Sequence, residues 1–413
     1  MPKTIVRATR SGAEESGKDF KANSLFNSPW LQTFVGSFFA PLIMFASSFS
    51  GSGPSEARII RILKDGYWDR TEVIAMADGS ERVRKSTKGA TAPGPWSVRS
   101  LRREISYIAG LPEAVRNIFP QILNAWDRDV DGSPDVGYEM PYHPGYKDAG
   151  ELAREGKLDQ AEIDLFQEAL AEAVIGRLHI PEKTAEPLSE HLTSVVLQAF
   201  ADLQRDPALA PLVGSSNITL NGVPALGPRE AFEKIRSTSD ALRALDVAPT
   251  VRLHGDFFLE NILWRHAETD GALPRLMLID PVSVAGVFVG PPVFDLVKYE
   301  SYAKGELPGL RSAWVDIAGF EPGQTGAFCY RIRWEEEGLR NFQTYDWRSR
   351  FRRLFEQKYG EVDRRLYCLL DGYFSVAMAV NTTGAQRKAR LLKAAVEFNS
   401  VLGTDCRDQR GLT

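Results

Sequence analysis

The chain has 413 residues, of which 43% are hydrophobic and 25% charged, with a formal net charge of −4 and a pI near 5.9. That is enough apolar material for a substantial core and more than one lobe, and there is no excess of positive charge to suggest nucleic acid as a partner. The three cysteines, Cys329, Cys368 and Cys406, are widely spaced and odd in number, which indicates neither a disulfide framework nor a zinc site and fits a reducing cytoplasm.

Residues 1–54 read as an amino-terminal extension. No charged residue occurs from Ala22 to Ser55, and the apolar stretch 30–49 is about as long as a bilayer span. Pro41 near its middle, Gln32 and several hydroxyl side chains argue against a spanning helix. A segment packed on the fold or poorly ordered is the favoured reading; membrane association on the cytoplasmic side is the lesser one. Residues 50–54, Ser-Gly-Ser-Gly-Pro, form a linker by composition.

Runs 59–63 and 71–75 read as strands joined near Gly66, and Asp78-Gly79 signals a hairpin into a strand at 82–85. The period of two on that strand puts Val83 and Lys85 on one face and Arg82 and Arg84 on the other. Residues 97–108 fit a helix whose buried stripe is Leu101, Ile105 and Ile108, with Glu104 beside it. Runs 119–123 and 136–140 would be the next strands, leading into the Pro/Gly-rich stretch 141–146, where His143 takes a surface position. From Asp148 the pattern turns helical, at 161–178 and 189–203, and after Asp295 at 313–317, 329–342, 350–359 and 364–379.

Within this helical region one stretch, 251–280, carries a concentration of chemistry. Val251 and Leu253 read as a strand end, Gly255 permits a tight bend, and 261–264 resumes an extended run. His254, Asp256 and Asn261 therefore share a loop, and Asp280 follows 19 residues after Asn261 at the end of the apolar run 276–279. A carboxylate and a carboxamide placed together are hard oxygen ligands suited to Mg²⁺, and a further carboxylate is left to orient or deprotonate a hydroxyl.

His254-Gly255-Asp256, Asn261 and Ile279-Asp280 together resemble the motifs of the aminoglycoside phosphotransferase and choline kinase superfamily, small-molecule relatives of the protein kinases. The resemblance implies an α+β, bilobal protein-kinase-like fold: a β-rich nucleotide-binding lobe and hinge at 55–144, a mainly helical catalytic lobe at 145–402, and a tail at 403–413. It implies Asp256 as catalytic base, Asn261 and Asp280 as Mg²⁺ ligands, and Lys85 on the nucleotide phosphates with Glu104 as its partner. Backbone groups of Glu139, Met140 and Pro141 would face the adenine. His254 and Asp295 would brace the catalytic loop, and Asp295 is also placed to cap a helix starting near Leu296. Gly66 is the only glycine of the first hairpin, where protein kinases carry several.

The activity implied is transfer of the γ-phosphoryl group of ATP, or GTP, to the hydroxyl of a sugar, aminoglycoside or amino alcohol. Tyr138-Glu-Met-Pro-Tyr142, the Glu104 helix followed by Phe119-Pro120, and Asp295-Leu-Val-Lys298 together look loosely similar to kinase-like proteins of capsule and surface-glycan pathways, a likeness that suggests a sugar or sugar-like alcohol. The alternative is a kinase-like nucleotide-binding protein with little turnover, membrane-tethered through 30–49.

Overall fold

The computed structural model describes residues 53–65, 69–88, 95–184, 187–238, 240–265, 275–281, 286–321 and 326–407. Both the apolar stretch 30–49 and Gly66 lie outside them. Among the described residues, no helix is long and apolar enough to cross a membrane.

The amino-terminal part is an antiparallel sheet with one helix against it. Its strands are β1 (Ala57–Asp65), β2 (Asp69–Met76), β3 (Glu81–Thr87), β4 (Asn124–Val130) and β5 (Ser133–Pro141), in the order β1-β2-β3-β5-β4. Gly79, at φ +82°, closes the β2–β3 turn, and the Asp78 side chain accepts the Ser80 amide at 2.8 Å. Strict alternation follows along β3: Val83, Lys85 and Thr87 are buried, whereas Arg82, Arg84 and Ser86 are half-buried. Helix α1 (Pro95–Ala109) lays Val98, Leu101 and Ile105 against Val83, Val136, Tyr138 and Met140, forming a small core. Burying each large apolar side chain of this kind is worth about 1.5–3 kcal/mol.

The end of α1 enters a second, larger core. Tyr107 and Ile108 join Phe119 and the apolar faces of the carboxy-terminal helices, and the Tyr107 hydroxyl donates to the Leu253 carbonyl at 2.7 Å. Around this core lie α2 (Gln160–Ala171), which continues as a π-helical turn over Glu172–Leu178, and α3 (Leu188–Leu203). Short strands β6 (Val251–Arg252), β7 (Ile262–Trp264), β8 (Leu276–Leu278) and β9 (Val289–Gly290) frame the loop that carries Asp256. β7 pairs antiparallel with β8, and β6 with β9. Next come α4 (Val293–Ala303), α5 (Glu306–Arg311), β10 (Val315–Ala318), β11 (Ala327–Ile332), α6 (Glu337–Thr344), α7 (Ser349–Tyr359), α8 (Arg364–Ala379) and α9 (Gly384–Val401). Helices α8 and α9 approach closely at Gly372, where a Cβ would lie 2.4 Å from the Phe398 ring. The expected α+β arrangement, β-rich first and helical second, is what the chain adopts.

Four elements depart from expectation. Residues 119–123 are not a strand: Pro120 has no amide to donate, and the ladder starts at Asn124. Residues 313–317 are not a helix, because Ala313 sits at φ +54° and the chain then extends into β10. The expected helix at 329–342 divides into β11, whose Phe328, Tyr330 and Ile332 are buried at a period of two, and α6. Finally, the helix expected to begin near Leu296 begins at Val293 with Pro292 at its N-cap, which places Asp295 in the first turn and not at the cap.

Candidate active site

The loop after β6 is held from below. Gly255 turns the backbone at φ +80°. The amides of His254 and Gly255 then both donate to the Asp295 carboxylate, at 2.8 and 2.9 Å. Asp295 is 1% exposed and also lies 3.3 Å from His179 Nε2. Burial alone would raise its pKa, but the His179 hydrogen bond and the other donors hold it below the usual carboxylate value. His254 is fully buried, stacked on Phe119 with centroids 6.0 Å apart. Burial lowers its pKa against the attraction of Asp295. The Asp256 amide donates to His254 Nδ1 at 3.3 Å, which marks that nitrogen as unprotonated.

Asp256 is the most open member of the group, its side chain one-third exposed. Its Oδ1 accepts from Lys298 Nζ at 2.8 Å and its Oδ2 from Asn261 Nδ2 at 3.2 Å. Asn261 Nδ2 also donates to the Asp256 carbonyl at 2.7 Å, so the amide nitrogen faces Asp256 and Oδ1 is the atom left to ligate. The β7–β8 pairing ends at Ile262 opposite Leu278, and the Ile279 amide then donates to the Asn261 carbonyl at 2.9 Å. Asp280 is the next residue, with its backbone in the left-handed region at φ +53°.

On the sheet side, Lys85 Nζ lies 2.9 Å from Glu104 Oε2, 2.8 Å from Asp280 Oδ1 and 3.7 Å from Asp69. The Tyr138 hydroxyl donates to Glu104 Oε1 at 2.7 Å. One ammonium thus faces two near carboxylates in a poorly solvated place. Lys85 would lose its proton more easily on burial, but Asp280 and Glu104 hold its pKa well above the ordinary value. Burial raises Asp280 too, yet Lys85 and Lys64 pull it down to about 2. Glu104, the more deeply enclosed of the two, is pushed up to about 7 by burial, with Lys85 only partly offsetting this. Lys85, Glu104, Asp280, Asn261 and Asp256 are therefore linked by contacts that run unbroken from β3 to the loop.

Glu139 is engaged through both its backbone and its side chain. Its carbonyl accepts the Leu123 amide at 2.8 Å, and its buried carboxylate faces away from Lys85, bonded to Arg84 Nη2 at 2.9 Å and to Ser55 Oγ at 2.7 Å. Strand alternation is the cause: Glu139 pairs with Arg84, whereas Tyr138 pairs with Lys85. Pairing with β4 stops at Asn124 opposite Glu139, so Met140 and Pro141 run past the end of β4.

Lys298 escaped the sequence reading as a site residue. It follows Asp295 by three positions on α4, so the two share a helix face; Asp295 binds the start of the loop and Lys298 binds Asp256. That spacing was the available signal. The Lys298 ammonium also lies over the rings of Phe258 and Phe374, at 5.0 and 4.9 Å.

Among the described residues, no group of three or more His, Cys, Asp or Glu is arranged to hold a metal. A nucleotide-bound Mg²⁺ needs no such cage, since it takes one or two protein ligands and completes its octahedron with phosphates and water. The Asp280 carboxylate with Asn261 Oδ1 suits that donor set.

No family model and no curated protein matches the chain. Solved structures do show similarity. A protein assigned as a fructosamine-3-kinase from Thermobifida fusca has 15% identity over 84% of this chain and 95% of its own, with a TM-score of 0.49. A choline kinase from Cryptosporidium parvum has 11% identity over 88% and 94%, with a TM-score of 0.38. A glucosamine kinase in complex with glucosamine, ADP and inorganic phosphate has 13% identity over 86% and 95%, with a TM-score of 0.34. These are small-molecule kinases, the class the sequence motifs resemble.

Proposed function

We propose that this chain transfers the γ-phosphoryl group of ATP to a hydroxyl of a small molecule, a sugar or sugar-like alcohol before an aminoglycoside or amino alcohol. The observation that carries the reading is the Lys85 ammonium held between Glu104 and Asp280, with Asp280 tied through Ile279 to the loop of Asn261 and Asp256. Residues 55–144 would bind the nucleotide, with Met140 and Pro141 at the adenine, and 145–402 would bind the acceptor. Asp280 and Asn261 Oδ1 would hold Mg²⁺, which supplies charge neutralisation at the transferring phosphates. Lys85 would leave Asp280 for the α- and β-phosphates while Glu104 keeps its ammonium in place. Asp256 would orient the acceptor hydroxyl and take its proton as attack proceeds in line. Because Lys298 and Asn261 each bind one of its oxygens, the carboxylate is positioned before substrate arrives, and such positioning supplies a large share of phosphoryl-transfer catalysis. A cytoplasmic site gives access to ATP.

The test compares wild type with Asp256→Asn in ADP release and thermal shift, against sugars, amino alcohols and aminoglycosides, with and without Mg²⁺. Mg-ATP should raise the melting temperature of both proteins, and an acceptor should stimulate ADP release about 100-fold more in wild type. Equal turnover in the variant would remove Asp256 as base. If Mg-ATP stabilises both and no acceptor of this panel is turned over, the acceptor lies outside the panel or the chain is a nucleotide-binding protein with little turnover; no Mg-ATP shift in either sinks the nucleotide site.

A further inference from the structure

Arg390, on α9, is 4% exposed, and among the described residues its guanidinium has no hydrogen-bond or ion-pair partner, the Nε being enclosed outright. An unpaired charge in such a place is costly, and arginine cannot shed its proton to escape the cost. The carboxylates of the neighbourhood are engaged elsewhere. Glu306 binds Lys304 and Lys393, Asp371 binds Lys393, and Glu260 binds Arg311. Arg390 also stands near a second cation. Gln386, one helical turn before it, donates to the Arg311 carbonyl, and the repulsion of Arg311 adds to burial in lowering the Arg390 pKa to about 10.

Arg311 leads back to the loop of Asp256. Its guanidinium lies 5.3 Å from the centroid of the Phe258 ring, the same ring that Lys298 overlies at 5.0 Å, and Lys298 is bonded to Asp256. A row of cations, Lys298, Arg311 and Arg390, thus runs from Asp256 along α4, α5 and α9. Of the adjacent glutamates 335–337, Glu335 faces Arg331 at 3.4 Å and Glu336 faces Arg333 at 3.1 Å.

We infer that the acceptor alcohol carries an anionic group, a carboxylate or phosphate, which the unpartnered Arg390 guanidinium receives beside Arg311 while the acceptor hydroxyl lies at Asp256. A planar guanidinium binds either oxyanion by paired N–H donors, so both belong to the proposal. The inference rests on the kinase reading for its orientation toward Asp256, but the binding site can be tested without turnover.

Thermal shift and calorimetry on the full chain, without nucleotide and at constant ionic strength, would use glucose 6-phosphate, glucuronate and inorganic phosphate as probes, with glucose and glucosamine as uncharged and cationic controls. At least one anionic probe should stabilise wild type and bind about tenfold or more tightly than glucose. Arg390→Gln should lose that difference while keeping its Mg-ATP shift. Arg390→Met should melt higher than wild type without ligand, since it removes an unpaired buried charge, and should also fail to respond to the anion. Should either variant not fold, Arg390→Lys, which keeps the charge but not the paired donors, should retain a weakened anion response. The inference is overturned if no anion stabilises wild type, if glucose or glucosamine binds as tightly as the anions, or if the variants respond to the anion as wild type does. Loss of the Mg-ATP shift in wild type would count against the kinase reading and leave the anion result to stand by itself.

Discussion

Asp295→Ala separates two accounts of the residue by magnitude. If the carboxylate merely favoured the positive end of α4, its removal would cost about 0.3–1 kcal/mol. The structure shows more than that: two buried backbone amides, His254 and Gly255, end on its oxygens, and a buried imidazole lies beside it. Each amide left without an acceptor costs about 1–3 kcal/mol, so the variant should lose about 3–5 kcal/mol unless the loop moves to rehydrate its donors. Moving the loop would carry Asp256 with it, and a displacement of about 1 Å costs on the order of 100-fold in rate. Asp295→Asn keeps one acceptor oxygen but sets an NH₂ against the other donor, and should fall between wild type and Asp295→Ala in stability. Urea unfolding supplies the free energies and ADP release the rates, with the Mg-ATP shift as a control for the sheet side of the site. A loss below 1 kcal/mol with normal turnover would refute the bracing role.

Other outcomes follow from the same geometry. Lys298→Met should lower turnover about 100-fold by freeing Asp256 from its fixed orientation, with Mg-ATP binding in thermal shift unchanged; a change confined to nucleotide affinity would contradict the assignment. Glu104 holds a proton in the folded chain up to about pH 7, against a usual glutamate value of 4.5. Its contribution is therefore fully present below pH 4.5 and lost as pH rises through 7, on the order of 3 kcal/mol at about 1.4 kcal/mol per pH unit. Urea midpoints from pH 4.5 to 8 should fall more steeply in wild type than in Glu104→Gln, and parallel curves would reject a Glu104 whose pKa burial has raised.

What was legible in the sequence is what short spacings encode. Val83 and Lys85 alternate on one strand, Glu104 lies beside a helical stripe, and Asp256, Asn261 and Asp280 keep intervals set by one loop and one hairpin, so each could be placed from its neighbours. The Lys85–Glu104 contact followed because both faces were already oriented. The side-chain partners of Glu139 were not legible, because they depend on Ser55, 84 residues away, and on a strand register that composition does not reveal. Lys298 was passed over because its partner lies 42 residues earlier. The stretch 327–332 reads equally at either period, and only the pairing of β11 with β10 and with Ile218–Leu220 decides in favour of extended chain.

The left-handed backbone at Asp280 also bears on mutational tolerance. Glycine would accept φ +53° freely but brings no ligand atom; asparagine accepts it and brings an oxygen, yet leaves Lys85 without its second counter-charge. Glutamate keeps the charge but lacks the short side chain that eases this conformation, and β-branched residues are the worst suited of all. Backbone and electrostatics therefore select the same residue for unrelated reasons, and a saturation library at position 280 should return aspartate alone among fully active clones.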